Sequence, residues 1–352
     1  MSRPAADPEQ TFWGWLRYAR LSLQGDEPSP PPTEPPPAEL LQRLAPLLHH
    51  NLYHHGHADQ LPEQLISQLR QETLKTISTE ALYRNWLTSF GKRLAASELQ
   101  AVLLKGSAFN GWLYADNTPR YSVDIDLWVH PSDFDQACTL MADSHQAVLL
   151  DAHRKATHQR LFERVFMPTK PGLPIVEIHR DLTNPYLYKV DALAILADSL
   201  PHPGYGNAAL RTLSPGHNLL NLALHCSRDR DFANYSLLDA HELWCQTRPD
   251  ADEMLDTARQ WQACTPLFFL LHNAAIHMGT PIPQRLLDAL QPAGWRQQLA
   301  EKTAHMNAAS PAPPAGRLWQ IGANFALSDR ISNTLLFQWD YLKMRLADIS
   351  SR

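Results

Sequence analysis

AVLLKGSAFNGWLYADNTPRYSVDIDLWVH, residues 101–130, is the stretch that decides the fold. Its first six residues are an apolar run stopped by glycine, as a buried strand is stopped by a turn. SAFNGWLYA (107–115) reads as a short helix and DNTPR (116–120) as a turn. YSVDIDLWVH (121–130) alternates with period two, which marks a second strand. Side chains two apart on a strand share a face, so Asp124 and Asp126 project together while Val123, Ile125 and Leu127 face the core.

Downstream, PSDFDQACTLMADS (131–144) has the form of a capped helix. LFERVFMP (161–168) and PIVEIHR (174–180) make two further strands joined by a Lys-Pro-Gly turn. On the second of them Glu177 and His179 share a face with Ile175, opposite Val176 and Ile178. After Ser214 the pattern is almost wholly helical, ending in a helix near 329–348 and interrupted by the Pro/Ala-rich SPAPPAG (310–316). Upstream, 38–98 reads as a lead-in of three or so helices, and 11–24 as a short amphipathic helix. Seven prolines in 28–37 make a stiff, extended connector between them. The expected architecture is α/β (α+β): a small mixed-sheet core at 99–200 embedded between helical N- and C-terminal parts, 1–37 and 38–98 before it, 201–352 after it.

Composition excludes some classes. With 44% hydrophobic and 19% charged residues over 352 positions, the chain can bury a sizeable core. A formal charge of −5 and a pI near 6.4 argue against generic nucleic-acid binding. Cys138, Cys226, Cys245 and Cys264 are far apart without a CxxC pair, which favours reduced thiols over zinc or disulfides. The first 20 residues lack the apolar core of a signal peptide, and FFLL at 268–271 is too short to span a membrane. A cytoplasmic protein without a membrane partner is expected.

Two carboxylates on one strand face repel, and Mg²⁺, which takes oxygen ligands, would relieve them; a solvated strand face is the plainer reading of Asp124 and Asp126. Gly106-Ser107 between strand and helix supports an anion site at a helix start, or an ordinary turn with a capping serine. It is not a P-loop, because GxxxxGK[ST] is absent. Glu177 reads either as a third carboxylate of a metal site, able to take a proton from a hydroxyl, or as a strand glutamate paired with arginine. Lys105 and Arg120 flank these elements as phosphate ligands or as ordinary strand-end cations. HRKATHQR (153–160) reads as a lining of the phosphate entrance or, more plainly, as a solvated basic loop. The histidines at 49, 50, 54, 55 and 57 lack accompanying carboxylates or cysteines at ligand spacing.

Together these features resemble the DNA polymerase beta-like nucleotidyltransferase superfamily, which is marked by a Gly-Ser turn, an acidic strand and a later carboxylate. The closer resemblance is to a branch of bacterial nucleotidyltransferases with an LKG…R…DIDL.V signature. Its counterparts here are Leu104-Lys105-Gly106, Arg120, and Asp124-Ile125-Asp126-Leu127 with Val129. Val176-Glu177-Ile178-His179 matches its VE.H strand. Its later L..H and LLD helices are matched by Leu222 to His225 and by Leu237-Leu238-Asp239, and the lead-in LAPLLHHNLYHHG also resembles that branch. The likeness runs from about residue 40 to 250, with Gly106 and Asp124 set 18 residues apart, longer than in many superfamily members.

The resemblance implies an enzyme that moves an NMP from an NTP such as ATP to an acceptor hydroxyl. It implies Asp124, Asp126 and Glu177 as catalytic residues and Mg²⁺ ligands, at a site able to take two metals. It further implies Lys105, Gly106, Ser107 and Arg120 around the phosphates. His179, His225 and Asp239 would orient the acceptor or support the ligands, although His225 and Asp239 read equally as a satisfied buried pair. Two competing functions stay open. A toxin-type nucleotidyltransferase acting on tRNA or protein would carry a basic concave surface around Asp124, and a non-catalytic nucleotide-binding scaffold would keep the fold alone.

Overall fold

The computed structural model describes residues 8–23, 29–144, 147–149, 163–308 and 316–350; the basic segment 153–160 and most of 310–316 lie outside the described residues. Between Pro62 and Gly91 no glycine or proline interrupts a run rich in Leu, Gln and Glu, which are good helix formers. That run forms one uninterrupted helix, so the lead-in is two long helices rather than three or so. In chain order, α1 (Pro8–Tyr18) is followed by the connector, α2 (Ala38–His54) and α3 (Glu63–Ala96). β1 (Ala101–Leu104), β2 (Asp124–Trp128), α4 (Phe134–Ala142), β3 (Ala147–Leu149), β4 (Glu163–Pro168) and β5 (Ile175–His179) come next. α5 (Ala192–Asp198), β6 (Leu200–Pro201) and β7 (Leu210–Thr212) complete the strand-bearing part, so the sheet continues past residue 200.

Eight helices follow: α6 (Pro215–Asp229), α7 (Ser236–Thr247), α8 (Ala251–Trp261), α9 (Cys264–Met278), α10 (Gln284–Leu290), α11 (Gly294–Thr303), α12 (Arg317–Leu327) and α13 (Ile331–Ser350). Their ends are locally encoded. Pro215 opens α6, where its missing N–H costs nothing. The Asp250 side chain accepts from the backbone N–H groups of Asp252 and Glu253 to start α8.

The strands form a seven-stranded mixed sheet in the order β3-β4-β5-β2-β1-β7-β6. β2 lies antiparallel to β1 and parallel to β5. One face carries Ile125, Leu127, Phe166, Val176 and Ile178, all buried, and α4 packs against β3, β4 and β5. Each such side chain contributes roughly 1.5–3 kcal/mol of hydrophobic burial. That leaves the opposite face of β2 and β5 for the carboxylates. Val123 departs from the alternation: it precedes the strand and is 45% exposed rather than in the core.

The segment 107–115 is not a helix. Only a 3-10 turn, Gly106–Ala108, forms, and Asn110 then bridges to Tyr114. Asn110 is used differently: its side chain accepts from the Arg120 N–H and donates to the Arg120 carbonyl, at 2.7 and 2.9 Å. This clamp fixes the approach to β2.

The N-terminal segment is packed, not peripheral. Trp15 is fully buried and donates to the Glu34 carbonyl in the connector at 2.8 Å. Glu242 on α7, itself fully buried, accepts from the Leu21 N–H at 2.6 Å and from the Ser22 hydroxyl at 2.7 Å. A buried carboxylate needs such partners. They tie the chain's start to the C-terminal helices. Among the described residues no helix is long and apolar enough to cross a membrane.

Gly91, on α3, provides a test of this packing. A Cβ there would lie 2.9 Å from the Leu210 Cδ1, and Leu210 is fully buried and cannot swing away. Helix propensity alone predicts that Gly91→Ala stabilises by about 1 kcal/mol. The contact predicts the opposite sign, a loss of about 1–3 kcal/mol in urea unfolding.

Candidate functional site

Sheet register builds the site. In the parallel pairing of β2 with β5, Asp126 stands opposite Glu177 and Trp128 opposite His179. In the antiparallel pairing of β4 with β5, Glu163 stands opposite His179. Directly opposed residues share a face, so Asp126, Glu177, His179 and Glu163 converge. His179 Nε2 lies 2.9 Å from Asp126 Oδ1 and 3.5 Å from Glu177 Oε2, while its Nδ1 lies 3.4 Å from Glu163 Oε2. The other Asp126 oxygen meets Lys105 Nζ at 3.0 Å.

Among the described residues, Asp126, Glu177 and His179 are the one group with metal-ligand geometry, each offering an atom within 4.8 Å of the others. The set therefore differs from the expected Asp124, Asp126 and Glu177: His179 joins it, and Asp124 stands beside it on the same cleft. Asp126 and His179 are both 3% exposed. Of the His-rich stretch, His50 and His54 stack with ring centroids 5.4 Å apart, but no metal-ligand group forms there among the described residues.

Charge balance separates the two aspartates. Burial, then the negative charge of Asp126, pushes the Asp124 carboxyl up to about 6. Burial would push Asp126 up as well, but Lys105 and the hydrogen bond from His179 outweigh it and hold Asp126 well below the ordinary carboxylate range. Burial likewise works against a charged His179, and its bonds to Asp126 and Glu177 overcome it, so its pKa is raised.

The turn after β1 is shaped by close approach. A Cβ on Gly106 would come 2.5 Å from Ser122 Oγ, so glycine is needed for that hydroxyl to sit here and donate to the Asp124 carbonyl at 2.6 Å. Lys105 takes a conformation usually reserved for glycine, φ 47° and ψ −159°, held where its ammonium meets Asp126. Ser107, expected at the phosphates, is instead buried, with its hydroxyl 3.5 Å from the Asp124 carbonyl, and it does not line the cleft. A three-residue turn also lacks the aligned dipoles of a helix start. Ser122 lines the cleft instead, and only the fold, not its place in the sequence, reveals it.

Arg120 is committed elsewhere. Its guanidinium grips Asp239 on α7 through Nε at 3.0 Å and Nη2 at 3.0 Å, and it stacks over the Tyr235 ring at 4.5 Å. Tyr114 donates its hydroxyl to the same carboxylate at 2.8 Å. This buried pair joins the approach to β2 to the helical part, and its edge borders the cleft. Arg43 on α2 covers the other cation site of Tyr235, also 4.5 Å from its centroid. Asp239 and His225 do not pair with each other. His225 lies on α6, 3.3 Å from Asp229, and burial together with Lys105 and Arg228 pushes its pKa well below the ordinary histidine range, leaving it neutral.

These groups line a cleft of about 380 Å³ whose walls include Arg43, Lys105, Asp124, Asp126, Glu177 and Arg228. Arg228 was missed by sequence reasoning, since a basic residue in the last turn of a helix is ordinary dipole compensation. Here it reaches Glu163 at 3.3 Å and turns toward the carboxylates.

The family described as Uncharacterised nucleotidyltransferase matches residues 41–279, more than half of the chain. The chain belongs to this family. No curated protein and no solved structure matches it. The match takes in every residue of the nucleotidyltransferase's cleft and stops at α9, before α10 to α13.

The two aspartates should respond with opposite signs when neutralised in metal-free protein. The raised Asp124 pKa means that its charge destabilises the fold above about pH 6, a penalty that fades as the pH falls toward 4. Asp124→Asn should therefore gain about 1–3 kcal/mol at pH 7.5 and nothing at pH 4. Asp126→Asn, which removes a depressed carboxylate and strands Lys105, should lose stability at pH 7.5. Chemical unfolding in a chelator at both pH values checks both.

Proposed function

We propose that this chain is a Mg²⁺-dependent enzyme that transfers an NMP from an NTP, ATP among the candidates, to an acceptor hydroxyl. The observation that carries the reading is the cleft itself: family membership supplies the nucleotide, and Asp126 and Glu177 supply carboxylate ligands for a divalent cation beside Lys105 and Arg228. The donor set fits such an ion, because strand register brings the Asp126 and Glu177 carboxylates, hard oxygen donors, within 4.8 Å of each other. Asp126 and Glu177 would hold the ion, with Asp124 positioned beside them for a second. When bound, it supplies charge neutralisation at the triphosphate.

In this reading Lys105 and Arg228 bind the β- and γ-phosphates, and Gly106 lets the triphosphate approach the backbone. Glu177 accepts the proton of the acceptor hydroxyl. The hydroxyl oxygen forms a bond to the α-phosphorus as the bond to the bridging oxygen of the β-phosphate breaks, and pyrophosphate leaves. Arg120 and Asp239 position the strand that carries Asp124 and Asp126 and touch no phosphate. The neutral His225 stands at the cleft wall to orient the acceptor.

Among the described residues the cleft wall is not predominantly basic, as the site of an enzyme for long nucleic acids would be. Its walls hold four cationic side chains, Arg43, Lys105, Arg120 and Arg228, against five carboxylates, those of Asp124, Asp126, Glu177, Asp229 and Asp239. A small hydroxylated acceptor suits that balance. The four cysteines are free thiols, in keeping with the cytoplasm.

A thermal-shift panel of ATP, GTP, CTP and UTP, with and without Mg²⁺, tests this. At 100 times its dissociation constant the donor should stabilise the fold by roughly 2.7 kcal/mol. The shift should need Mg²⁺ and vanish in Asp126→Asn. A folded wild type that shifts with no nucleotide would instead indicate a scaffold.

A further inference from the structure

We propose that His179 is a nitrogen ligand of the cation in this cleft, oriented by Glu163, and that the site takes a first-row transition ion such as Mn²⁺ in preference to Mg²⁺. The inference rests on the metal-bearing reading of the cleft and changes what its cation and ligands are.

Three observations carry it. First, His179 Nε2, itself buried and not on the cleft wall, lies 2.9 Å from Asp126 Oδ1 and 3.5 Å from Glu177 Oε2, the two carboxylates that are. Ligands bound at about 2.1 Å to one ion lie about 3.0 Å apart at right angles and about 3.4 Å apart in a tetrahedron. The two separations are those of a hydrogen-bonded imidazole, and they also admit a shared ion in place of the Nε2 proton. Second, the other ring nitrogen faces Glu163 Oε2 at 3.4 Å. A metal-binding histidine characteristically gives its second N–H to a carboxylate, which fixes the tautomer and the ring direction. Third, that carboxylate is itself fixed. Glu163 is opposite His179 in the β4–β5 register, and Arg228 Nη1 holds the same oxygen at 3.3 Å. A histidine serving only to neutralise charge would need none of this.

The chemistry of the set then selects the ion. Mg²⁺ takes oxygen ligands and keeps several waters. An imidazole with two carboxylates suits a first-row transition ion better.

The test is pulsed electron paramagnetic resonance on Mn²⁺ bound to the full chain, with affinities for Mn²⁺ and Mg²⁺ from calorimetry. The expected result is a ¹⁴N coupling that becomes ¹⁵N in protein labelled at histidine. It should survive His50→Gln/His54→Gln, disappear in His179→Gln, and accompany Mn²⁺ binding at least tenfold tighter than Mg²⁺. Glu163→Gln, which is partly exposed and expected to fold whatever becomes of His179→Gln, should weaken Mn²⁺ binding about tenfold while keeping the coupling. Bound Mn²⁺ without a nitrogen coupling, or with one that survives His179→Gln, overturns the inference and leaves an all-oxygen site and the transfer reaction standing. Unchanged affinity in Glu163→Gln overturns the orienting role. If neither ion binds, both this inference and the proposed reaction fall.

Discussion

Carboxylate crowding governs this molecule. Asp124, Asp126, Glu177 and Glu163 are brought together by strand register, and the hydrophobic far faces of β2 and β5 permit no other register. Like charges about 4 Å apart repel by about 4 kcal/mol at an effective dielectric of 20. The fold survives because each carboxylate has a cationic or hydrogen-bonding answer. Lys105 and His179 meet the two oxygens of Asp126, Arg228 meets Glu163, and Asp124, with the weakest compensation, keeps its proton up to about pH 6. The strained backbone of Lys105 is worth its cost only for that ion pair.

A second buried charge pair frames the first. Arg120 and Asp239 join the approach to β2 to α7, Tyr114 satisfies the same carboxylate, and Asn110 clamps the Arg120 backbone. Breaking such a pair leaves an uncompensated buried charge at a cost of about 3–5 kcal/mol. One turn further along α7, Glu242 gathers the N-terminal segment. One helix thus holds both the acidic strand and the N-terminal segment, so the small sheet is braced by elements distant in sequence.

The parts of this arrangement set by local periodicity were legible in the sequence. Period-two alternation at 121–130 and 174–180 placed the strands, and the shared faces of Asp124 with Asp126 and of Glu177 with His179 followed from it. What was not legible depends on long-range pairing. β6 and β7 have two and three residues, too few to show a period. SAFNGWLYA has good helix formers, yet Asn110 and Tyr114 are drawn off to Arg120 and Asp239. Arg120 reads from the sequence as a phosphate ligand beside the acidic strand, because no sequence pattern shows that Asp239, 119 residues on, neutralises it. His179 reads from the sequence as a supporting residue, since only the β2–β5 and β4–β5 pairings bring carboxylates to both of its ring nitrogens. Ser107 is buried because the turn after β1 folds its hydroxyl toward the Asp124 carbonyl, a contact made between residues 17 apart in the chain.

The central claim is that Asp126 and Glu177 hold a cation against a nucleotide triphosphate in the cleft. The most direct measurement is a crystal structure with Mn²⁺ and an NTP analogue that cannot be cleaved between the α- and β-phosphates, read by anomalous scattering. The account predicts an anomalous peak between Asp126 and Glu177, phosphates over Gly106, and Lys105 turned from Asp126 onto the triphosphate. A nucleotide seated elsewhere, with Lys105 still on Asp126 and no peak beside it, would contradict it.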